Sequence, residues 1–290
     1  MSDWKREDPE HALRAVAALE GLGLPGEVRL YEGGSVPVFW AGDAVVKLMP
    51  PEDSELIERE VEALRVLEGR LSIPTPRLLA RVALEGWTAL VMTRLPGISL
   101  RSAWPSLSQP QRVELVRALG RGLAELHAVP VEGLTALGME GFVSAQRSTA
   151  RSRQEARGLS EGWLAQIEPF LASVTWVPSE PVLLHAEVMR EHLVVESGQL
   201  TGLFDFEPSM VGHPEYELAS VGLFVTEGEP GLLRELLLAY GMPEASLTPE
   251  LSRRLMGWAL LHRYSDLRWY LSRLPGGDTL EELAGRWFGL

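Results

Sequence analysis

Residues 181–221 read PVLLHAEVMREHLVVESGQLTGLFDFEPSMVGHPEYELASV, and the pattern of this stretch decides the fold. Its first apolar run is predicted as a short strand that leads to His185. Two further apolar runs are joined by Ser197-Gly198, a pair typical of two-residue β-hairpins. The second of these runs ends at Asp205, before a loop that leads into a predicted helix. The stretch therefore predicts short strands whose ends carry polar residues.

Three polar residues at those strand ends form the candidate site. Glu187 is followed five residues later by His192, and the predicted hairpin lies between His192 and Asp205. A folded hairpin would bring the two acids and the histidine together. One carboxylate is then suited to accept the proton of a substrate hydroxyl, and the other to hold a divalent metal on a phosphate. The same sequence also fits an ordinary surface hairpin with acidic residues in its loops.

Four segments of this region resemble the catalytic and metal-binding motifs of the aminoglycoside phosphotransferase and choline kinase family, small-molecule relatives of protein kinases: His185-Ala186-Glu187, His192, Asp205-Phe206-Glu207 and Gly212-His213-Pro214. That family usually has His-Gly-Asp, then Asn five residues after the Asp, then an Asp ending the hairpin, then Gly-Asp-Pro. Here Ala, Glu, His and His stand at positions 186, 187, 192 and 213. The runs IPTPRLLAR and DTLEELAGRWFG are similar to the hygromycin-B kinase branch.

The resemblance implies a role for each matched residue. Glu187 would accept the proton of the acceptor hydroxyl or orient that hydroxyl, and His185 would position the catalytic loop. Asp205 would bind magnesium. His192 stands where the family has a metal-binding Asn, but magnesium prefers oxygen ligands, whereas imidazole suits zinc, manganese or nickel better. His192 would therefore bind metal weakly, act through water, or leave Asp205 as the only protein ligand.

The N-terminal part predicts a nucleotide-covering hairpin followed by a third strand. Gly33, Gly34 and Ser35 form the turn between its first two strands, and glycine lets a backbone approach phosphates closely. Lys47 stands between apolar residues of the third strand. If that strand is buried, its ammonium group needs an anionic partner.

The partner of Lys47 is predicted on the next helix, residues 55–68. In the family that the chain resembles, a Lys on the third strand pairs with a Glu on the following helix, and Lys47 with Glu60 resembles that pair. Glu58 and Glu62 are the alternatives. A solvated acidic helix face accounts for the glutamates that do not pair.

The run TRLPG after Met92 has the composition of a linker. It predicts two domains, an N-lobe over residues 1–94 that covers the nucleotide and a C-lobe over residues 95–290 with the catalytic loop, metal site and acceptor pocket. The resemblance implies that adenine hydrogen-bonds to the Thr93 carbonyl and the Leu95 amide, with Met92 beside the base.

The C-lobe is predicted to be mostly helical, with a capping box at the start of a helix that ends at His127. Residues 133–150 are predicted as loop, and residues 151–174 and 249–271 as helices. His127 on an apolar helix face is interpreted as structural.

Two groups of side chains in the C-lobe could serve the substrates. Aromatic residues near the C-terminus could line an acceptor pocket, and the acids proposed to join them are Asp266, Glu227 and Glu229. Four basic residues either approach the nucleotide phosphates or balance nearby glutamates, and we favour the second reading; these are Arg147, Arg151, Arg153 and Arg157.

The composition excludes several classes of protein. The 290 residues are 46% hydrophobic and include no Cys, which rules out disulfides and thiolate chemistry. The net charge of −13 argues against nucleic acid or anionic membrane as partner and suits a cationic small molecule. The charged start MSDWKREDPEH lacks a signal-peptide pattern, and no long apolar run is present, so a cytoplasmic protein is expected.

We therefore predict an α+β, two-lobed protein-kinase-like fold with a small antiparallel-sheet N-lobe. The expected activity is transfer of the γ-phosphate of ATP or GTP, with Mg²⁺, to a hydroxyl of a cationic acceptor such as an aminoglycoside. A monomer or weak dimer is expected. Two alternatives remain: a catalytically weak nucleotide-binding regulatory protein, and a metal-dependent hydrolase that uses His185, Glu187 and His192.

Overall fold

The computed structural model describes Lys5 and residues 7–24, 26–134 and 139–290, and the first four residues of the charged start lie outside this part. The N-terminal region is a five-stranded antiparallel sheet in the order β1-β2-β3-β5-β4, with two helices. Its elements are helices α1 (Pro9–Glu20) and α2 (Ser54–Leu67) and strands β1 (Arg29–Leu30), β2 (Val38–Ala41), β3 (Ala44–Met49), β4 (Leu78–Leu84) and β5 (Trp87–Thr93).

Strand β3 separates the two apolar cores of the protein. Side chains alternate between the faces of a strand. Val46 and Leu48 accordingly pack on the face that helix α1 covers, and Met49 packs with α2 on the other face. Lys47 lies between Val46 and Leu48, so the same alternation turns its ammonium group toward α2 and the cleft below the sheet.

The C-terminal part is mainly helical and contains two small antiparallel sheets, β6-β8-β9 and β7-β10. Its helices are α3 (Leu100–Ala103), α4 (Gln109–His127), α5 (Met139–Ser148), α6 (Ala150–Ala156), α7 (Glu161–Ser173), α8 (Pro214–Phe224), α9 (Pro230–Tyr240), α10 (Pro249–Leu261), α11 (Leu267–Arg273) and α12 (Leu280–Phe288). Its strands are β6 (Ile98–Ser99), β7 (Val182–Leu184), β8 (Leu193–Glu196), β9 (Gln199–Leu203) and β10 (Met210–Gly212).

The hairpin that the sequence predicted is formed by β8 and β9. Its turn residues Ser197 and Gly198 have φ angles of 52° and 78°. Positive φ at both positions is the requirement of a type I′ turn, whose twist matches that of paired strands. The hairpin ends beside β7, so the loops that follow these strands meet. The predicted α+β kinase-like fold is confirmed, while the domain boundary after residue 94 stays a prediction.

Three of the predicted elements differ from the structure. The single helix predicted over 151–174 is two helices, α6 and α7, separated by residues 157–160. Residues 139–148 form α5 rather than loop, and residues 135–138 of the predicted loop lie outside the described part. The single helix predicted over 249–271 is two helices, because the chain extends at His262 (φ −60°, ψ 145°). Asp266 then caps α11 by accepting a hydrogen bond from the Trp269 N–H at 2.9 Å.

Candidate active site

Lys47 lies at the centre of the cleft, where three carboxylates surround its ammonium group. Its Nζ donates to Glu60 Oε2 at 2.8 Å and to Asp205 Oδ1 at 2.6 Å. Glu207 Oε2 is 2.7 Å away. Glu60 is the helix residue that sequence had favoured, whereas Glu58 pairs with Arg81. The structure therefore joins strand β3, helix α2 and the end of the β9 hairpin at one amine.

Burial and neighbouring charges shift the pKa values of the groups in this cluster in different directions. Burial opposes the charge of Lys47, but its three acidic neighbours raise the pKa of Lys47 well above its ordinary value. Burial and the neighbouring carboxylates raise the pKa of Glu60, against the attraction of Lys47. Burial also acts on Asp205, yet Lys47 and His192 lower the pKa of Asp205 to about 2. Asp205 is thus the carboxylate that keeps its charge at all physiological pH values.

The catalytic loop between β7 and β8 is held through its main chain. Glu217 on α8 accepts the Ala186 N–H at 2.7 Å and the His185 N–H at 3.3 Å. His127 Nε2 lies 2.9 Å from the same carboxylate, and Tyr240 lies behind His127. Two loop amides thereby have a partner inside the protein, and the position of the loop follows that of α8.

Ala186 occupies a backbone conformation that favours glycine. Its φ is 66°, in the left-handed region, and its side chain is fully buried. The family that the sequence resembles usually has Gly at this position. Ala keeps the turn of the loop but adds a methyl group and local strain.

His185 is an internal hydrogen-bonding residue of the loop. Its Nε2 donates to the Phe204 carbonyl at 2.8 Å, and its Nδ1 accepts from the Glu187 N–H at 3.3 Å. Burial lowers the pKa of His185 to about 4, so the ring is neutral with the proton on Nε2. Both nitrogens are used, and the ring is fully buried. His185 therefore positions Glu187, and the hydrolase reading that makes it a zinc ligand does not fit.

Glu187 lies at the mouth of the cleft with an unusual affinity for protons. Burial raises the pKa of Glu187 to about 7, partly opposed by His192 and Arg263. A carboxylate with this pKa changes charge near neutral pH, which suits a residue that accepts a proton during a reaction. Its side chain is intermediate in exposure, so small molecules can reach it.

His192 bridges the two acids of the hairpin. Its Nδ1 donates to the Glu187 carbonyl at 2.9 Å, and its Nε2 lies 3.3 Å from Asp205 Oδ2. Because Nδ1 donates a proton, only Nε2 can offer a lone pair to a metal, and Nε2 faces Asp205. His192 is therefore placed to orient Asp205 and the loop as well as to approach a cation.

The oxygen atoms around Asp205 fit the magnesium ion that the fold implies. Glu60, Asp205 and Glu207 offer oxygens within 4.8 Å of one another, and so do Glu187 and Asp205 with a nitrogen of His192. Glu207 Oε2 is buried and, although close to Lys47, makes no well-directed hydrogen bond with the described residues. Carboxylate oxygens are the ligands that magnesium prefers. Asp205 with Glu207 is the oxygen pair best suited to it.

Arg190 holds the far side of the catalytic loop. Its Nε donates to the Val225 carbonyl at 2.8 Å, and its guanidinium pairs with Glu227 at 2.8 Å. The guanidinium carbon also lies 3.7 Å from the ring centroid of Trp104. Arg101 pairs with the other oxygen of Glu227. This Arg190 network ties the loop to the end of α8 and to α3, away from the cleft.

The predicted nucleotide-binding residues lie along one edge of the cleft. Gly33 and Gly34 have φ angles of 157° and 85° in the turn before β2. The Leu48 N–H donates to Pro37 O at 2.9 Å, which holds the segment after this turn against the Lys47 end of β3. Ser35 belongs to the same turn and is exposed. The geometry allows these backbone groups to approach a phosphate, and their binding role stays a prediction.

The hinge residues also lie beside the cleft. Met92 is buried and pairs with Val45 of β3, and Thr93 is the last residue of β5. The side chain of Leu95 packs against Gly202 of β9, where an added methyl group would come within 2.3 Å of it. This contact joins the two parts of the chain next to the expected base pocket. Adenine binding at this position stays a prediction.

The acids proposed for the acceptor pocket serve other contacts. Glu227 belongs to the Arg190 network, Asp266 caps α11 and pairs with Arg157 at 2.9 Å, and Glu229 lies 4.0 Å from Arg112. In the basic group, Arg151 pairs with Glu161. Arg153 instead donates to the carbonyls of Leu260 and His262 at the end of α10. The charge-balancing interpretation of the basic group thus accounts for Arg151.

Sequence reasoning missed two residues that face Glu187. Arg263 and Tyr264 follow α10, in the stretch predicted as uninterrupted helix, and both act on the charge balance of the cleft. His262 sets their position, because its Nε2 donates to the Ala186 carbonyl at 3.2 Å. The Ser265-Asp266 pair, a helix N-cap signal, could have revealed the break.

Comparisons with known proteins agree with this geometry. The family model described as the phosphotransferase enzyme family matches residues 27–258. An aminoglycoside 3′-phosphotransferase of Escherichia coli is 24% identical over 274 residues, covering 84% of this chain and 94% of its own. A homoserine kinase of Pseudomonas aeruginosa is 27% identical over 239 residues, covering 79% of this chain and 66% of its own.

The fold has close relatives among solved structures. The GDP complex of an aminoglycoside 2′-phosphotransferase superposes with a TM-score of 0.72 at 18% identity, over 96% of this chain and 98% of the other. At that identity the likeness concerns the fold alone. The family match extends over most of the chain and includes Lys47, Glu60 and the candidate-site residues 185–207, while Arg263 and Tyr264 lie beyond its end. The chain belongs to the phosphotransferase enzyme family and is a phosphotransferase.

Proposed function

We propose that this enzyme transfers the γ-phosphate of a nucleoside triphosphate to a hydroxyl of a cationic small molecule of the aminoglycoside type. The observation that carries the proposal is the position of Lys47 between Glu60 and Asp205, with Glu187 across the same cleft. Phosphoryl transfer needs positioning and charge neutralisation more than covalent chemistry by the protein, and this arrangement offers both.

The nucleotide would lie between the sheet and the hairpin. Lys47 would contact its phosphates, Glu60 would hold Lys47, and the backbone around Gly33 and Gly34 would cover the phosphates. The hinge at Thr93 and Leu95 would hydrogen-bond to the base. The GDP bound to one solved relative supports nucleotide use, while the choice between ATP and GTP awaits a binding measurement.

A magnesium ion would be held by Asp205, with Glu207 as a second oxygen ligand, and would supply positive charge to the phosphate oxygens. Asp205 suits this role because its carboxylate is charged at every physiological pH. His192 would orient Asp205 through Nε2 and the loop through Nδ1.

Glu187 would take the proton of the acceptor hydroxyl. As the acceptor oxygen forms its bond to the γ-phosphorus, the bond to the bridging oxygen of the nucleoside diphosphate breaks and the proton passes to Glu187. The elevated pKa of Glu187 favours this transfer near neutral pH. His185 and Glu217 keep Glu187 in place by holding the loop backbone.

The cationic acceptor is supported by the net charge of −13 and by the names of the aminoglycoside-modifying relatives. We extend the proposal to a cytoplasmic monomer or weak dimer with lobes at residues 1–94 and 95–290. Among the described residues, no helix has both the length and the apolar composition that a membrane span requires.

A second candidate is a kinase-like binder with feeble turnover. It is favoured by the unusual residues Ala186, Glu187 and His192, of which His192 already faces Asp205. This binder would take up nucleotide without passing its phosphate to an acceptor.

One experiment separates the two. The protein is incubated with Mg-ATP or Mg-GTP and a panel of hydroxyl-bearing amines, and products are screened by mass spectrometry for a phosphate-sized gain. A product that disappears with Glu187→Gln supports the enzyme. Nucleotide-induced thermal stabilisation without any product supports the binder.

A further inference from the structure

Arg263 projects into the part of the cleft where an acceptor would approach Glu187. Its backbone N–H donates to the Tyr216 hydroxyl at 3.1 Å, which fixes the residue directly after His262. Its guanidinium carbon is 5.7 Å from the ring centroid of Phe142 on α5. One terminal nitrogen is 3.9 Å from Met210 Sδ. The group thus lies on an apolar floor formed by α5 and β10.

The charge of Arg263 lacks a carboxylate partner. Among the described residues, no carboxylate oxygen lies within 4.0 Å of its guanidinium, and its buried Nε has no hydrogen-bond partner. The neighbours closest to it are a thioether, a phenyl ring and tyrosine hydroxyls. Partial burial of a cation without an anion is unfavourable, and a bound oxyanion would offset that cost.

A second arginine with little acidic contact belongs to the N-terminal part of the molecule. Arg59 stands on α2 next to Glu60, with 10% of its side chain exposed. Its only acidic contact among the described residues is Glu55, at 3.2 Å, which is itself 85% exposed. Burial lowers the pKa of Arg59, and repulsion by Arg263 lowers it further. An anion bound at Arg263 would offset its positive charge and so lessen this repulsion.

The exposed wall of this site is Tyr264. Its side chain is 45% exposed, and its hydroxyl responds to both Glu187 and Arg263. A ligand that reaches Glu187 with a hydroxyl therefore passes along Tyr264 and meets the guanidinium of Arg263.

We propose that Arg263 binds an oxyanion carried by the acceptor itself, a carboxylate or an ester of a mineral acid. The acceptor would then carry, besides the amines that suit the acidic protein, an anionic group that is held beside the hydroxyl to be phosphorylated. This inference rests on the proposed function, because it assumes that Glu187 meets an acceptor hydroxyl. Guanidinium is suited to this task, since its planar fork matches two oxygens at once.

Arg263 could instead bind the γ-phosphate of the nucleotide. The position of Arg263 argues for the acceptor: it follows α10 and packs on Phe142 of α5, whereas the phosphate-facing groups lie on the sheet and the hairpin. The two sources of an oxyanion differ in one respect that an experiment can use. A γ-phosphate is present in a triphosphate analogue and missing from a diphosphate.

Sulfate is the probe. Thermal shift is measured with increasing sulfate for the free protein, for the Mg-ADP complex and for the complex with Mg²⁺ and a non-hydrolysable ATP analogue, at constant ionic strength with chloride. We expect sulfate to stabilise all three forms of wild type. We also expect Arg263→Gln to raise the sulfate concentration at half effect by about tenfold or more, with Arg263→Lys between the two.

Three outcomes decide the matter. Sulfate stabilisation that depends on Arg263 and persists with the ATP analogue supports an acceptor oxyanion. Sulfate binding that the ATP analogue abolishes but ADP permits assigns Arg263 to the γ-phosphate and overturns the proposal. Equal stabilisation of wild type and Arg263→Gln, as general salt exclusion produces, also overturns it. Failure of the proposed function is distinct, since it would appear as the absence of any phosphorylated product in the acceptor panel, whatever the effect of sulfate.

Discussion

Lys47 Nζ and Asp205 Oδ1 lie 2.6 Å apart although 158 residues separate them in the chain. This contact brings the central strand of the N-terminal sheet to the end of the C-terminal hairpin. Glu60 and Glu207 complete the surroundings of the amine, so one positive charge faces three carboxylates. The cluster carries excess negative charge, which a bound divalent cation would offset.

Removing the ammonium group should abolish phosphate binding. We expect Lys47→Met to lower kcat/KM by about 10²- to 10³-fold, the usual effect of losing one electrostatic contact to a developing charge. Mg-ADP should stabilise the variant much less than wild type in thermal shift. Lys47→Arg is the matched control, and unchanged nucleotide stabilisation in Lys47→Met would contradict the assignment.

Activity should depend on the ionisation of Glu187. With the pKa of Glu187 raised to about 7, only the deprotonated form accepts a proton, so kcat/KM should fall tenfold per pH unit below about pH 7. Glu187→Gln should lose turnover by at least about 10²-fold while keeping Mg-ADP binding. The pH profile of steady-state rates checks the first expectation. A flat profile between pH 5 and 8 would exclude Glu187 as the group that titrates.

Replacing His192 should change the metal requirement. His192→Asn places an amide oxygen near Asp205 and removes an imidazole that magnesium binds poorly. We expect the Mg²⁺ concentration for half-maximal activity to fall on the order of tenfold, an effect typical of residues around a metal site. Calorimetric titration of Mg²⁺ with ADP present gives the affinity without turnover. His192→Ala serves as control, since it removes the ring without supplying an oxygen.

Stability should decrease on acidification through two buried histidines. Burial lowers the pKa of His185 to about 4 and that of His262 to about 3, from 6.5 in the unfolded chain. Between about pH 6.5 and the folded-state pKa values, the unfolded chain binds protons that the native protein does not. The free energy of unfolding therefore decreases as the pH is lowered through this range. At the acid limit this loss is about 3 kcal/mol for His185 and about 5 kcal/mol for His262.

The histidine contribution can be isolated with His262→Gln. Glutamine keeps a donor for the Ala186 carbonyl without a titrating ring. Urea denaturation at several pH values between 7 and 4 should show a shallower decrease for this variant than for wild type. Parallel curves would mean that other groups cause the acid sensitivity.

The sequence predicted most elements because their patterns are local. The alternation of β3, the helical spacing of α2 and the Ser197-Gly198 turn each depend on neighbouring residues, and all three are confirmed. The contact of Lys47 with Glu60 was expected from a family resemblance rather than from spacing. The proposed catalytic and binding roles stay predictions.

The sequence could not reveal what distant packing creates. Arg263 looks like a surface residue of one long helix, and only the hydrogen bond from His262 to Ala186 turns it toward Glu187. Glu207 was visible in the motif, yet its closeness to Lys47 depends on how the hairpin meets the sheet. Asp266 seemed available to a substrate until the structure showed it capping α11.

The contacts that hold the loop between β7 and β8 determine which substitutions the loop can tolerate. Arg190 ties its part of the loop to the Val225 carbonyl, Glu217 accepts from the Ala186 N–H, and His262 donates to the Ala186 carbonyl. None of these three contacts involves the side chains of residues 187 and 192. Because these contacts hold the main chain of the loop, different side chains are tolerated at positions 187 and 192. Uncommon residues at these two positions are thus compatible with an intact loop. Substitutions there can change the reactive groups of the cleft without changing the loop backbone.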